Sequence, residues 1–499
     1  MGRLIWTRLL AAAPSVIGVI VVTFVLTRAL PGDPAAYFAG PAATQQAIAE
    51  IRHSLGLDRS LPEQFLVYVE DLAQGRLGNS LSTGQPVVEE LLTRLPASLE
   101  LTALALVLSV AIAVPLGITA AQRPNSWIDH LCRIVSTAGV SLPTFFTGLL
   151  LVYVFYYLLG WAPAPLGRLD LAYDRGVDRL GLRVGAGLCP RHGAGLHPAQ
   201  LVDRHSLRRD RPARCGLGLS AALRHLRYVL GENPVTLASF ALFVVLVAVA
   251  VLGPWIEPYD PLATDAMHAL TPPSAGHWCG TDAVGRDILS RIIAATRLDL
   301  GIAFAAVVLS FAIGALAGLA AGYFGGWTER AVGRAADTIM AFPLFVLAMG
   351  IVAALGNTTA NIVYATAIIN MPLYARVART EASVLRQAGF IEAARLGGNG
   401  EMRILLAQVL PNTMPLLAVQ MSLTMGYAIL NAAGLSFIGL GISPPTPEWG
   451  IMVAEGASNI ISGEWWVALF PGLALMLAVF CFNLLGDGLR DLIDPRRRT

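Results

Sequence analysis

Glu392-Ala393-Ala394, with Gly398 shortly after and Leu410-Pro411 beyond, marks a short polar island between long apolar runs. Ala393 and Ala394 favour helix and are small enough for another backbone to approach closely. Gly398 permits the left-handed turn that ends a helix. Leu410-Pro411 puts a proline where a new helix tolerates one, in its first turn. Glu392 can pair with a basic group or cap a helix start, and Arg395, Glu401 and Arg403 offer polar contacts on the exposed side. Bond-making constellations are absent from the sequence: there is no H-E-x-x-H, no G-x-S-x-G and no pair of carboxylates inside an apolar run.

The surrounding composition says what must hold this stretch. The 499 residues are 55% hydrophobic and only 14% charged, with a mean hydropathy of +0.62. Soluble domains average about 25% charged residues, so the chain reads as an integral membrane protein. All 35 basic residues are arginine. That excludes a Walker A loop, which needs a lysine at the β/γ-phosphates, and any lysine nucleophile. The net charge of +2 is too small to suggest nucleic-acid binding. Cys132, Cys189, Cys215, Cys279 and Cys481 are dispersed and odd in number, which argues against a disulfide framework.

A helix crossing about 30 Å of hydrocarbon needs about 20 apolar residues. Runs without charge at 9–27, 101–122, 142–160, 233–256, 301–323, 416–435 and 467–486 meet this, and 338–374 holds two helices separated by Gly356-Asn357-Thr358-Thr359. The expectation is an all-α polytopic membrane protein of about nine transmembrane helices, three plus six. None of these runs carries a charge at its centre, whereas an ion-coupled carrier usually holds a carboxylate or histidine there. Arginines fix the orientation. Arg3 and Arg8 put the N-terminus inside, Arg376, Arg379, Arg386, Arg395 and Arg403 put the 376–403 segment inside, and Arg490 with Arg496 to Arg498 puts the C-terminus inside.

The stretch from Phe390 to Pro411 resembles the cytoplasmic EAA loop of the permeases of the dipeptide/oligopeptide/nickel family of ATP-binding-cassette importers. One departure is Gln408, where the family pattern often has an aliphatic residue. Further motifs carry the resemblance across the second half: Glu257-Pro258-Tyr259-Asp260-Pro261, Gly280-Thr281-Asp282 with Gly285-Arg286-Asp287, Ser443-Pro444-Pro445 with Glu448-Trp449-Gly450, and Asn483-Leu484-Leu485-Gly486-Asp487. Leu30-Pro31-Gly32-Asp33-Pro34, Leu77-Gly78-Asn79-Ser80 and Arg94-Leu95-Pro96 make the first half similar to the partner permease of the same systems, cut short after three spans. The resemblance implies domains at 1–170 (a truncated permease half), 171–222 (an arginine-rich linker) and 223–499 (a complete six-span permease).

It further implies a permease for peptides or similar small solutes in the inner membrane, not itself an enzyme and without a cofactor of its own. The loop would be gripped by separate cytoplasmic ATPase subunits that bind Mg-ATP. The other partners implied are a second permease subunit, the lipid bilayer and an extracytoplasmic solute-binding protein. That binding protein would dock around Asp260, Trp278, Asp282, Arg286, Asp287 and Trp449. Residues 175–227 carry eleven arginines and no apolar run, which fits an out-of-frame translation that fused two permease genes. Cys189, His192, His197, His205 and Cys215 in that segment do not follow a zinc-finger spacing. Two rival readings are an ion-coupled secondary transporter and a non-functional fusion.

Overall fold

The computed structural model describes residues 2–29, 44–54, 56–80, 83–123, 126–162 and 234–493. The arginine-rich segment, with its Cys and His residues, and the Leu30–Pro34 motif lie outside the described residues. Everything described is helix, turn or isolated bridge, with no strand among the described residues.

The helices of the first half are α1 (Gly2–Ala29), α2 (Gln45–Ser54), α3 (Leu61–Ala73), α4 (Val87–Gln122), α5 (Trp127–Ser141) and α6 (Thr144–Val152), the last continuing as a π-helical stretch over Tyr153–Leu158. The second half has α7 (Pro234–Ile256), α8 (Ile288–Phe324), α9 (Gly326–Ala341), α10 (Leu344–Leu355), α11 (Thr359–Leu385), α12 (Gly389–Leu396), α13 (Glu401–Ile404), α14 (Leu410–Phe437), α15 (Trp449–Ala457) and α16 (Trp466–Ile493).

Helix covers most of each expected apolar run. The one at 142–160 is helical only from Thr144 to Leu158, and the one starting at 338 is broken at Phe342-Pro343. Several helices overrun their runs. The run at 301–323 sits in a helix that begins at Ile288, and the one ending at Tyr374 sits in a helix that continues to Leu385. Polar residues extend a helix past the hydrocarbon once its first turns have formed, because propagation is easier than nucleation. By length and composition, five described helices can cross a membrane, and α9 with α10, bent by 91° at Phe342-Pro343, makes a sixth. The apolar parts of α1 and α6 are shorter. The hairpin expected at 356–359 is present. Gly356 adopts φ +96°, the Thr358 side chain caps α11 by accepting from the Asn361 N–H, and Asn361 Nδ2 donates to the Leu355 and Gly356 carbonyls.

The core of the second half is the pair α8–α11. Gly314, Gly318 and Gly322 lie one turn apart on α8, facing the backbone of Met371, Ala375 and Arg379 on α11. A methyl group at any of the three would overlap one of those carbonyl oxygens. Small residues four apart are how helices in lipid bring their backbones together, since lipid tails supply no hydrophobic drive between helices. α14 and α16 pack beside this pair.

The first half leans on the second through a few specific contacts. Gly18 of α1 lies against Thr338 of α9, and Leu26 reaches Gly350 of α10. The fully buried Phe146 covers Gly472 of α16, and Asn483 Nδ2 donates to Ser141 Oγ at 3.0 Å. By contrast, none of the 36 residues of α4 is buried.

Candidate functional site

The Glu392–Pro411 stretch forms a projecting knuckle. α12 supplies one face to the protein, through Ile391 and Ala394, and leaves Glu392, Ala393 and Arg395 exposed. This is the three-and-four spacing of a helix lying on a surface. Its end is a Schellman turn. Gly398, at φ +76°, donates to the Arg395 carbonyl at 2.9 Å, and Asn399 donates to the Ala394 carbonyl at 3.2 Å. Asn399 Nδ2 donates to that same carbonyl at 3.0 Å. Beyond it, α13 and a π-helical turn at Leu405–Val409 lead into α14, which carries Leu410 and the exposed Pro411 in its first turn.

One side chain outside the motif braces the knuckle, and the sequence reading did not single it out. Tyr323, at the end of α8, donates its hydroxyl to Glu401. Arg395 donates to Glu401 at 2.9 Å and to the Tyr323 hydroxyl at 3.2 Å, with its guanidinium 5.6 Å from the Tyr323 ring centre. The Glu401 carboxylate, followed by the Tyr323 hydroxyl, raises the Arg395 pKa above its ordinary value. Against this polar brace stand bare apolar side chains: Leu396 is 91% and Met402 63% exposed. The turn thus leaves apolar side chains uncovered at the loop tip.

The six residues expected to meet a binding protein divide sharply. Asp260 and Trp278 are exposed, whereas Asp282, Arg286, Asp287 and Trp449 are buried. The last four therefore act inside the protein, and the expectation of direct docking contact is corrected for them.

The Asp282 carboxylate accepts from Arg286 Nε at 2.6 Å, from the Val284 and Arg286 backbone N–H groups, and from Arg291 Nη1. Glu455 of α15 accepts from Arg286 at 3.2 Å and from Arg291 at 2.9 Å. Asp287 caps α8, accepting from the Ser290 N–H at 2.8 Å and pairing with His277 Nδ1 at 2.9 Å. Gly285, at φ +81°, lets the loop backbone press against Asp265. The Gly280–Asp287 motif is thus a clasp between the loop, α8 and α15.

Trp449 is seated on α8 beside this clasp. Its backbone N–H donates to Asp299 at 3.0 Å, and its ring N–H donates to the Ile292 carbonyl at 3.3 Å. Glu448 caps α15 by accepting from the Gly450 and Ile451 N–H groups, while burial pushes its carboxyl up to about 7. Arg291, Glu455 and Asp299 were missed in the sequence. The repeated Asp/Arg pattern at 282, 286, 287 and 291 hinted at internal pairing, but nothing local pointed to Glu455, which lies more than 160 residues away. Among the described residues no group of His, Cys, Asp and Glu is arranged to hold a metal.

Comparison with known proteins agrees with this architecture. The description "Binding-protein-dependent transport system inner membrane component" matches residues 113–182 and 310–499. Its N-terminal companion matches residues 1–102, and "N-terminal TM domain of oligopeptide transport permease C" matches residues 224–273. A probable D,D-dipeptide transport system permease protein of Escherichia coli K12 is 40% identical over 271 residues, 54% of this chain and 91% of that protein. Glutathione transport system permease proteins are also similar. That of Pectobacterium atrosepticum is 41% identical over 266 residues, 53% of this chain and 88% of that protein. That of Escherichia coli O157:H7 is 45% identical over 258 residues, 51% of this chain and 85% of that protein. The motifs, the all-helical membrane architecture and these matches agree, and the chain belongs to the binding-protein-dependent transport system inner membrane component family, with two permease-like parts in one polypeptide.

Proposed function

We propose that this chain is a transmembrane permease subunit of an ATP-binding-cassette importer for peptides or similar small solutes. It is not itself an enzyme: separate cytoplasmic ATPase subunits bind Mg-ATP and grip the knuckle. A solute-binding protein delivers cargo on the other side, where Asp260 and Trp278 are the exposed candidates for contact. The division at 1–170, 171–222 and 223–499, cytoplasmic termini, and a frame shift as the origin of the arginine-rich segment belong to the same reading.

The observation that carries it is the knuckle, a rigid Schellman-ended helix with unburied Leu396 and Met402 beside it. Its motion would be one of two states of the helices, biased by nucleotide on the partner. The peptide and glutathione names of the relatives support a peptide-like solute.

Gly398→Arg tests the docking. At φ +76° any side chain costs about 1–2 kcal/mol, and no atom of the chain lies within 4 Å of the new Cβ. The chain should therefore stay folded while a long cation projects from the knuckle. The expected result is that co-purified ATPase falls about tenfold or more, a loss of about 1.4 kcal/mol or more in binding, with the melting temperature of the permease little changed. Undiminished co-purification would reject the knuckle as the coupling site. Uptake driven by a proton gradient without ATPases would favour an ion-coupled carrier instead.

A further inference from the structure

A cavity of about 500 Å³ lies where the first half meets α10 and α14. Its walls include Pro143 and Phe145 from the first half, Phe345 from α10, and Leu430, Asn431 and Phe437 from α14. The volume falls within the range of about 300–1,000 Å³ typical of small-molecule sites. No residue with a charged side chain lines it.

The two halves contribute corresponding elements. Residues 113–182 and 310–499 match one and the same family description. Within them Pro143-Thr144-Phe145 and Pro343-Leu344-Phe345 occupy the same structural place: the proline precedes a helix, and the phenylalanine is its second residue. The two prolines have nearly the same backbone conformation, φ −59° and ψ 134° against φ −56° and ψ 115°. Both phenylalanines reach the same cavity. Phe145 stacks on Phe437 with ring centres 4.4 Å apart. Phe345 lies over Gly434, where an added Cβ would come within 2.8 Å of its ring. Asn431, Gly434 and Phe437 share one face of α14, being three apart along it.

From this convergence we propose that the cavity binds a small peptide-like solute through its aromatic or aliphatic side chain, and that the incomplete first half supplies one of its walls. The three rings take the side chain, and the Asn431 amide can pair with a peptide group, having both donor and acceptor atoms. With no counter-charge in the lining, selection falls on the apolar part of the solute rather than on its charge. The proposal rests on the importer reading and gives the first half a part in it.

The test uses the full-length chain in lipid nanodiscs, with native cysteines replaced by serine and Thr144→Cys introduced at the cavity. The dipeptide Leu-Phe should slow maleimide labelling about fivefold, an occupancy of roughly four-fifths, and Asp-Glu should not. Phe145→Ala and Phe345→Ala should each remove that protection, whereas Phe145→Leu should retain most of it.

Equal labelling rates with and without Leu-Phe would overturn the site, as would equal protection by both dipeptides. Loss of protection in Phe345→Ala but not in Phe145→Ala would overturn the role of the first half. Failure of the importer reading would show separately, as absent ATPase co-purification with protection intact.

Discussion

Gly318→Leu is expected to prevent the second half from assembling. Gly318 sits at the middle of the seam between α8 and α11, and even a single methyl there would overlap the Ala375 carbonyl. The atom it meets is backbone and cannot rotate away, so the two helices would have to separate along their length. Overpacking a core costs about 1–3 kcal/mol where side chains can yield, and here the unyielding neighbour puts the cost at or above the upper end. Gly301→Leu, on the same helix, is the control, because nothing lies within 4 Å of its Cβ. Size-exclusion profiles and thermal melts in detergent should show aggregation or a large drop for Gly318→Leu and near-native behaviour for Gly301→Leu. Similar behaviour of the two variants would refute the close-packed seam.

Arg291→Met should be nearly as damaging, for an electrostatic reason. Arg291 is 1% exposed, and it faces Asp282 and Glu455 together with Arg286. Methionine fills much of the space but leaves two carboxylates sharing one guanidinium. Removing one partner of a buried ion pair costs about 3–5 kcal/mol, because the charge left behind has lost its water without compensation. A melt of the purified chain should fall by many degrees, and Arg291→Met combined with Glu455→Gln should recover part of the loss. If the double variant were as unstable as the sum of the two single ones, the pairing would not be what holds α15 to α8.

The sequence already contained the helices, because long uncharged runs have few alternatives. It also contained the hairpin at Gly356 and the turn at Gly398, since glycine at a helix end carries a specific backbone meaning. Helix ends were less visible: α8 starts 13 residues before the run that marked it, its first turns interrupted by the charges of Arg291, Arg297 and Asp299 and held by the Asp287 cap and the Arg291 pairing. The charged motif at 282–287 was read as surface, because charge usually means exposure. Its burial depends on Glu455, brought close only by the folded chain. The aromatic Trp449 misled in the same way. Its ring N–H finds the Ile292 carbonyl, a partner that local pattern cannot predict.

The glycine seam between α8 and α11 has a mechanical consequence. No layer of side chains separates the two backbones there, so nothing soft is available to absorb a push. α8 has 37 residues, and at 1.5 Å per residue it runs about 55 Å. A displacement imposed at Tyr323, where the knuckle is tethered, should therefore arrive at Asp287 almost undiminished, as in a stiff rod rather than a spring.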